Sequence, residues 1–169
     1  DDIGLTICAT HEQNEDIINN TEVVIEKLNT LNCSYTALPY PKNMNFLDIN
    51  VLDKFIEDIN IAGSIFSKAN KVLCYHNHAL EFQKINQEII LERIYNNTDN
   101  KYIQGEPDVY WIQKGGHDPI SWCKKLKNRL PLIHLKDFIM LNEHESYYAE
   151  IGNGNLDIKN IIKEAELSG

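Results

Sequence analysis

Short apolar runs alternate with amphipathic segments along the chain, and this alternation is the clearest signal in the sequence. Apolar runs of strand length occupy residues 5–11, 35–40, 72–78, 102–111 and 130–137. Segments with apolar residues at three- and four-residue spacing, typical of a helix with one buried face, occupy residues 17–28, 52–66, 88–95, 118–128 and 158–167. Residues 138–155 carry no regular pattern. The sequence therefore predicts an α/β fold.

The predicted strands end about every thirty residues, which is the length of one strand–helix unit. Such units build a parallel sheet, either open and doubly wound or closed into a (β/α)8 barrel. A barrel gathers all its strand ends around one site, and four of the five strands here end in chemically capable residues: His11, His76-Asn77-His78, Asp108 and His134-Leu135-Lys136-Asp137. An open sheet usually carries a glycine-rich phosphate loop, and neither GxGxxG nor a Walker loop occurs. We therefore expect a TIM barrel.

The chain is short for such a barrel. A closed eight-stranded barrel needs about 250 residues, whereas this chain has 169 residues and five convincing strands. We therefore expect residues 1–169 to form one incomplete barrel domain that lacks about the first two strands and the last strand. Its open sheet edges predict a lone chain that is poorly stable and inactive.

Composition narrows the classes of partner. The formal net charge is −9, which disfavours a nucleic-acid backbone as the main partner. No apolar run approaches the roughly 20 residues that span a bilayer, so we expect no membrane segment. The four cysteines show no CxxC spacing, which argues against a zinc ribbon and a disulfide scaffold. We expect a cytoplasmic protein, although an exported form stays open because we also expect the native amino terminus to precede residue 1.

Several residues at the strand ends suit a divalent metal. His76 and His78 are two apart on a predicted strand and would share one face. Together with Asp108 and His134 they offer imidazole and carboxylate ligands of the kind that Mn²⁺, Zn²⁺, Co²⁺ and Fe²⁺ accept. Each also has a structural interpretation: a lone strand histidine is often a core residue, and Asp108 could cap a helix. Asp137 could hold the ring nitrogen of His134.

Other residues suit a ligand. Lys136 shares strand parity with His134 and could stabilise an oxyanion or bind a phosphate or hydroxyl group, although a solvated lysine is an equally good interpretation. Trp111 could pack in the core or form a platform for a sugar. Gly152-Asn153-Gly154 is similar to an anion-binding turn.

Four motifs together resemble the sugar phosphate isomerase/epimerase family of the xylose-isomerase-like (β/α)8 superfamily, which also includes inosose dehydratases, ketose 3-epimerases and endonuclease IV. They lie at residues 75–82, 108–119, 131–137 and 150–157 and read YHNHALEF, DVYWIQKGGHDP, PLIHLKD and EIGNGNLD. The resemblance covers nearly the whole chain and specifies the family but no substrate.

The resemblance implies one divalent metal bound by a Glu, an Asp, a His and a second Glu on successive strands. Asp108 and His134 match the Asp and the His, while His76 stands where the family has its first Glu. The second Glu is expected beyond Gly169. The implied metal ligands are thus His76, Asp108 and His134, with Mn²⁺ as the first choice of ion and Zn²⁺, Co²⁺, Mg²⁺ or Fe²⁺ as alternatives.

The implied activity is that of a metal-dependent isomerase or epimerase, or a related dehydratase or lyase, acting on a sugar, keto-sugar or cyclitol through an enediolate. His78 and Lys136 are the expected catalytic residues, and His11, Trp111 and Lys136 the expected substrate-binding residues. The expected partner is a small carbohydrate, with no nucleic acid and no membrane, and a homo-oligomer of the full-length protein stays open. Two alternatives are a non-catalytic sugar-binding barrel with a degraded metal site and a DNA-repair nuclease.

Overall fold

The computed structural model describes residues 4–41 and 43–169. These residues form two compact units. Unit 1 runs to His76 and includes residues 84–104, and unit 2 comprises residues 77–83 and 105–169. None of the helices in these two ranges is long and apolar enough to cross a membrane.

Unit 1 is built on a parallel sheet. Its strands are β1 (Thr10–His11), β2 (Tyr35–Pro39) and β3 (Val72–His76), which pair in parallel in the order β1–β2–β3. A fourth strand, β6 (Ile103–Glu106), follows β3 in the sheet and runs from unit 1 into unit 2. Helices α1 (Asn14–Asn19), α2 (Thr21–Thr30) and α3 (Ile49–Lys68) connect the first three strands. This confirms the predicted α/β alternation.

Helix α3 shows how the apolar pattern produces the core. Asp48 precedes it and accepts a hydrogen bond from the Asn50 N–H, which satisfies one of the free donors of the first turn. The helix packs against β3. Its buried face holds the apolar residues that share helical spacing: Leu52, Phe55, Ile56, Ile59, Ala62 and Phe66. Burial of this face, more than helix propensity, stabilises a helix of this kind.

Gly63 lies where α3 passes close to the backbone before β6. A Cβ added at Gly63 would lie 2.5 Å from the carbonyl oxygen of Tyr102, so no side chain fits there without a shift of the backbone. We expect Gly63→Ala to lower the free energy of unfolding by about 1–3 kcal/mol, because overpacking outweighs the better helix propensity of alanine. Urea unfolding measures this change. Ser67→Ala, on the exposed side of the same helix, is the control and should leave stability within about 0.5 kcal/mol; an equal loss in both variants would contradict the steric explanation.

A tight hairpin precedes the next helix. Strands β4 (Lys84–Ile85) and β5 (Glu88–Ile89) pair in antiparallel fashion, and the two residues between them, Asn86 and Gln87, have φ angles of 49° and 70°. Positive φ at both central residues is typical of the two-residue turn that suits the twist of a hairpin. Helix α4 (Ile90–Asn96) therefore begins two residues later than the predicted start at residue 88.

Two predictions in unit 1 were wrong in detail. The apolar run at 5–11 forms a strand only at Thr10–His11, and Leu5 and Ile7 are exposed, so an apolar pattern there does not mean burial. The predicted helix at 17–28 is two helices, because the backbone at Asn20 leaves helical geometry with φ −129° and ψ 35°.

Unit 2 contains α5 (Val109–Lys114), α6 (Pro119–Lys125), β7 (Asp137–Met140), β8 (Ser146–Ala149) and α7 (Ile158–Ser168). Helix α6 begins with a proline after the Asp118 cap, as the sequence predicts, and packs against α7. Cys123 lies in this core, where burial raises the pKa of its thiol to about 11, so it is inert at neutral pH.

Two predicted strands of unit 2 need correction. The strand predicted at 102–111 ends at Glu106, because the Asp108 carboxylate caps a helix that already includes Trp111. The run at 130–137 forms a single parallel bridge, at His134 with Asp108. Pro131 has no N–H to donate to a longer ladder. The patternless segment after residue 137 forms the antiparallel hairpin β7–β8, which the sequence analysis missed.

Candidate functional site

Asp108 is the centre of the candidate site. It follows β6 by two residues, caps α5 and is fully buried. Its Oδ1 accepts a hydrogen bond from the Trp111 N–H at 3.0 Å, and its own N–H donates to the side-chain oxygen of Asn77 at 3.1 Å. The helix-cap interpretation of Asp108 and its candidacy as a ligand are therefore compatible, because the cap uses only one carboxylate oxygen.

The other oxygen of Asp108 faces two side chains of the segment before β7. His134 Nδ1 lies 3.3 Å from Asp108 Oδ2, and Lys136 Nζ lies 4.0 Å from it. The backbone aligns these groups: the His134 N–H donates to the Pro107 carbonyl at 3.0 Å, and the His134 carbonyl accepts from the Val109 N–H at 3.2 Å. The structure thus brings Asp108, His134 and Lys136 together from two segments of the chain.

The Asp108 carboxylate and the His134 ring together suit a divalent cation as ligands. Ligand bonds of about 2.1 Å from one ion to a carboxylate oxygen and an imidazole nitrogen place those two atoms about 3 Å apart. The 3.3 Å separation of His134 Nδ1 and Asp108 Oδ2 is close to that value. The His134 side chain is 43% exposed, so an ion from solvent can reach it. Imidazole with carboxylate is a ligand set that Mn²⁺ and its neighbours accept.

The loop after β3 supports the site. Buried Glu81 accepts a hydrogen bond from the His78 N–H at 3.0 Å, and the His78 ring lies 5.3 Å from the Trp111 ring. Strand β3 ends at His76, so the predicted parity of His76 and His78 does not apply at His78, which lies beyond the strand. Sequence reasoning also missed that the Asn77 amide positions the backbone of Asp108; the only signal was the position of Asn77 between His76 and His78.

His76 and His11 lie in unit 1. His76 is buried at the end of β3, His11 is exposed at the end of β1, and their ring centres are 4.8 Å apart. Both rings belong to the carboxyl end of the parallel sheet, where barrels place their sites. The role of His76 as a metal ligand and that of His11 as a substrate contact stay predictions.

Asp137 has a different role from the one considered in the sequence analysis. It is buried, and its carboxylate accepts four backbone hydrogen bonds of 2.9–3.2 Å, from the N–H groups of Phe138, Gly152, Gly154 and Leu156. A Cβ at Gly154 would overlap this carboxylate. The anion held by the turn Gly152-Asn153-Gly154 is therefore the carboxylate of Asp137, while the His134 ring faces Asp108. Burial alone would raise the pKa of Asp137, but the four N–H groups together lower it below its usual value.

Comparison with known proteins gives the fold a context. No model of a known protein family matches the sequence, and no curated protein matches it. Among solved structures, the chain is similar to a sugar phosphate isomerase/epimerase from Parabacteroides distasonis ATCC 8503, with a TM-score of 0.79 and 27% identity over 99% of this chain and 63% of that one.

Two further structures share the fold at lower identity. The probable 3-DHS dehydratase AsbF involved in petrobactin synthesis, from Bacillus anthracis, has a TM-score of 0.75 and 13% identity over 98% of this chain and 68% of that one. A xylose isomerase-like TIM barrel protein from Mycobacterium smegmatis in complex with magnesium has a TM-score of 0.75 and 12% identity, over 99% of this chain and 65% of that one. The chain thus spans roughly two thirds of each of these three proteins. The parallel sheet and these likenesses show that the chain has part of the xylose isomerase-like TIM-barrel fold, without the closed barrel, and that it is structurally similar to the sugar phosphate isomerases/epimerases.

Proposed function

We propose that Asp108 and His134 bind one divalent metal ion, with Mn²⁺ as the first choice, and that the protein is a metal-dependent isomerase or epimerase, or a related dehydratase or lyase, acting on a sugar, keto-sugar or cyclitol. The observation that carries this proposal is the buried carboxylate of Asp108 with one oxygen 3.3 Å from the ring nitrogen of His134. A buried carboxylate is costly unless a cation or hydrogen bonds compensate it. The magnesium complex of the Mycobacterium smegmatis relative supports a metal in this fold.

The residues around this pair suit proton transfer next to a carbonyl group. When bound, the cation would stabilise the negative charge of an enediolate. Lys136 would place its ammonium beside the same developing charge. His78 would move the proton at the adjacent carbon, and its backbone is held in place by buried Glu81. Trp111, whose ring lies 5.3 Å from that of His78, would contact the sugar, and His11 would orient one of its hydroxyl groups.

The third ligand is proposed from the sequence. His76 stands where the sugar phosphate isomerase/epimerase family has a Glu. The presence of His76 in place of that Glu favours a second candidate function, a sugar-binding barrel without catalysis. The two differ in one measurement: the second predicts carbohydrate binding without Mn²⁺ binding.

Metal removal tests the proposed function. We expect a chelator to abolish turnover of a keto-sugar or cyclitol by the full-length protein and added Mn²⁺ to restore it, because the enediolate loses its main stabilising charge without the ion. An isomerisation or epimerisation assay with and without chelator measures this. Turnover that resists chelation would reject the metal mechanism, and Ca²⁺ in place of Mn²⁺ is a control for nonspecific ionic effects.

A further inference from the structure

The ammonium of Lys136 lies among three aromatic rings of unit 2. Its Nζ is 4.6 Å from the ring centre of Trp111, 4.7 Å from that of Tyr148 and 5.1 Å from that of Tyr110. A cation within about 6 Å of an aromatic ring is attracted to the negative face of the ring. The same Nζ is 4.0 Å from Asp108 Oδ2. We call this arrangement of Trp111, Tyr148 and Tyr110 around Lys136 the aromatic cage.

The β7–β8 hairpin supplies one wall of the aromatic cage. Tyr110 and Trp111 come from α5, whereas Tyr148 comes from β8, where it pairs with Phe138 of β7. Phe138 and Tyr148 are directly paired across the two strands, so their side chains lie on the same face of the hairpin. The rings of Phe138 and Tyr148 both meet Tyr110 edge-on, with centres 5.4 and 5.3 Å away. These contacts hold the Tyr148 ring against α5.

The neighbour of Tyr148 gives a matched comparison. Tyr147 pairs with Ile139, so it belongs to the opposite face of the hairpin. The two tyrosines are almost equally exposed, at 63% for Tyr147 and 62% for Tyr148. They therefore differ in what their rings contact and hardly at all in how much surface they expose.

We propose that Tyr148 is a positioning residue that closes the aromatic cage and so keeps the Lys136 ammonium beside the Asp108 carboxylate. Through Tyr148, the β7–β8 hairpin determines where the positive charge of Lys136 lies in the site. A fixed ammonium repels a divalent cation bound to Asp108, and it attracts a negatively charged oxygen of a carbohydrate. The cage thus weakens metal binding slightly and keeps a positive charge where the enediolate develops. This consequence rests on the function proposed above, whereas the cage itself does not.

The first test is a proton NMR measurement on the full-length protein without metal. Ring currents of the cage displace the signals of the ε-methylene protons of Lys136. We expect Tyr148→Val to reduce this displacement, and Tyr148→Phe and Tyr147→Val to preserve it. Lys114, which lies over Tyr110 and Trp111 at 5.4 and 5.3 Å, is an internal reference for the α5 rings. An unchanged Lys136 displacement in Tyr148→Val would overturn the proposal. If this variant unfolds the hairpin, the presence or absence of NOEs between Lys136 and the Tyr148 ring in the unaltered chain decides the same point.

The second test is a Mn²⁺ titration of the same variants. Freed from the cage, Lys136 spends less time beside Asp108, so Tyr148→Val should tighten Mn²⁺ binding about twofold to fivefold, which corresponds to the 0.5–1 kcal/mol of one exposed cation–π contact. The effect should vanish in a Lys136→Met background, and Tyr147→Val should show none. An equal effect with and without Lys136 would overturn the positioning role. If the unaltered full-length protein binds no Mn²⁺, the metal proposal fails, and the NMR measurement still decides the cage.

Discussion

Asp108→Asn is expected to weaken Mn²⁺ binding at least about a hundredfold and to abolish turnover while the fold persists. The asparagine side chain keeps an oxygen for the Trp111 N–H, so the cap of α5 survives. It loses the negative charge that faces His134 and Lys136. Changing even a residue behind a metal ligand commonly costs 10–100-fold in affinity, so a lost ligand charge should cost more. Calorimetric Mn²⁺ titration and the isomerisation assay measure both effects.

Asp118→Asn is the matched control for this substitution. Asp118 also caps a helix of unit 2, through the N–H of Ser121 at 2.9 Å, but it is exposed. We expect Mn²⁺ affinity to stay within about twofold in this variant. His76→Ala in the same titration tests the third ligand, with an expected loss of about tenfold or more. Undiminished Mn²⁺ binding by Asp108→Asn would contradict the proposed metal site.

Asp137→Asn is expected to lower the free energy of unfolding by about 3 kcal/mol or more. The carboxylate accepts four backbone hydrogen bonds in a buried position. An amide group keeps one accepting oxygen and turns an NH₂ group toward N–H donors, so buried donors lose their partners. Each buried group left without a partner costs about 1–3 kcal/mol, and more where a charge is involved. Urea unfolding followed by circular dichroism measures the loss.

The effect of Asp137→Asn should also depend on pH. The pKa of Asp137 is lowered in the folded chain, since the four N–H groups outweigh the opposing effect of burial. A carboxyl group with a lowered pKa contributes stability above its unfolded pKa of about 3.9, and this contribution is lost as pH falls through the lower folded pKa. The difference between wild type and variant should therefore be constant from pH 6 to 8 (roughly) and shrink below about pH 4.

Asp157→Asn is the control for the Asp137 experiment. Asp157 caps α7 by accepting from the Asn160 N–H at 3.3 Å, and asparagine is an equally good cap. We expect a change of less than about 0.5 kcal/mol. A loss in Asp137→Asn no larger than in Asp157→Asn would show that the turn at Gly152–Gly154 does not depend on the buried charge.

Local pattern predicted much of the fold. The helical spacing of apolar residues predicted α3 and α7 closely, because one buried face is a property of the sequence alone. Alternation of strands and helices predicted the parallel sheet, and the polar ends of those strands pointed to Asp108 and His134. The strand predicted at 130–137 was wrong because an apolar run does not reveal how many of its N–H groups find a partner.

By itself, the sequence determined the fold class, the core faces of the helices and the chemical types available at the strand ends, since these depend on short-range spacing. Only the tertiary structure decided which groups meet. It divided the two oxygens of Asp108 between a helix cap and His134, turned Asp137 toward the backbone of residues 138–156, and brought Tyr148 of an unpredicted hairpin to Lys136. Apart from the helix cap and the Phe138 N–H, these contacts join residues well separated in the chain, and the spacing of apolar residues along the sequence gives no information about them.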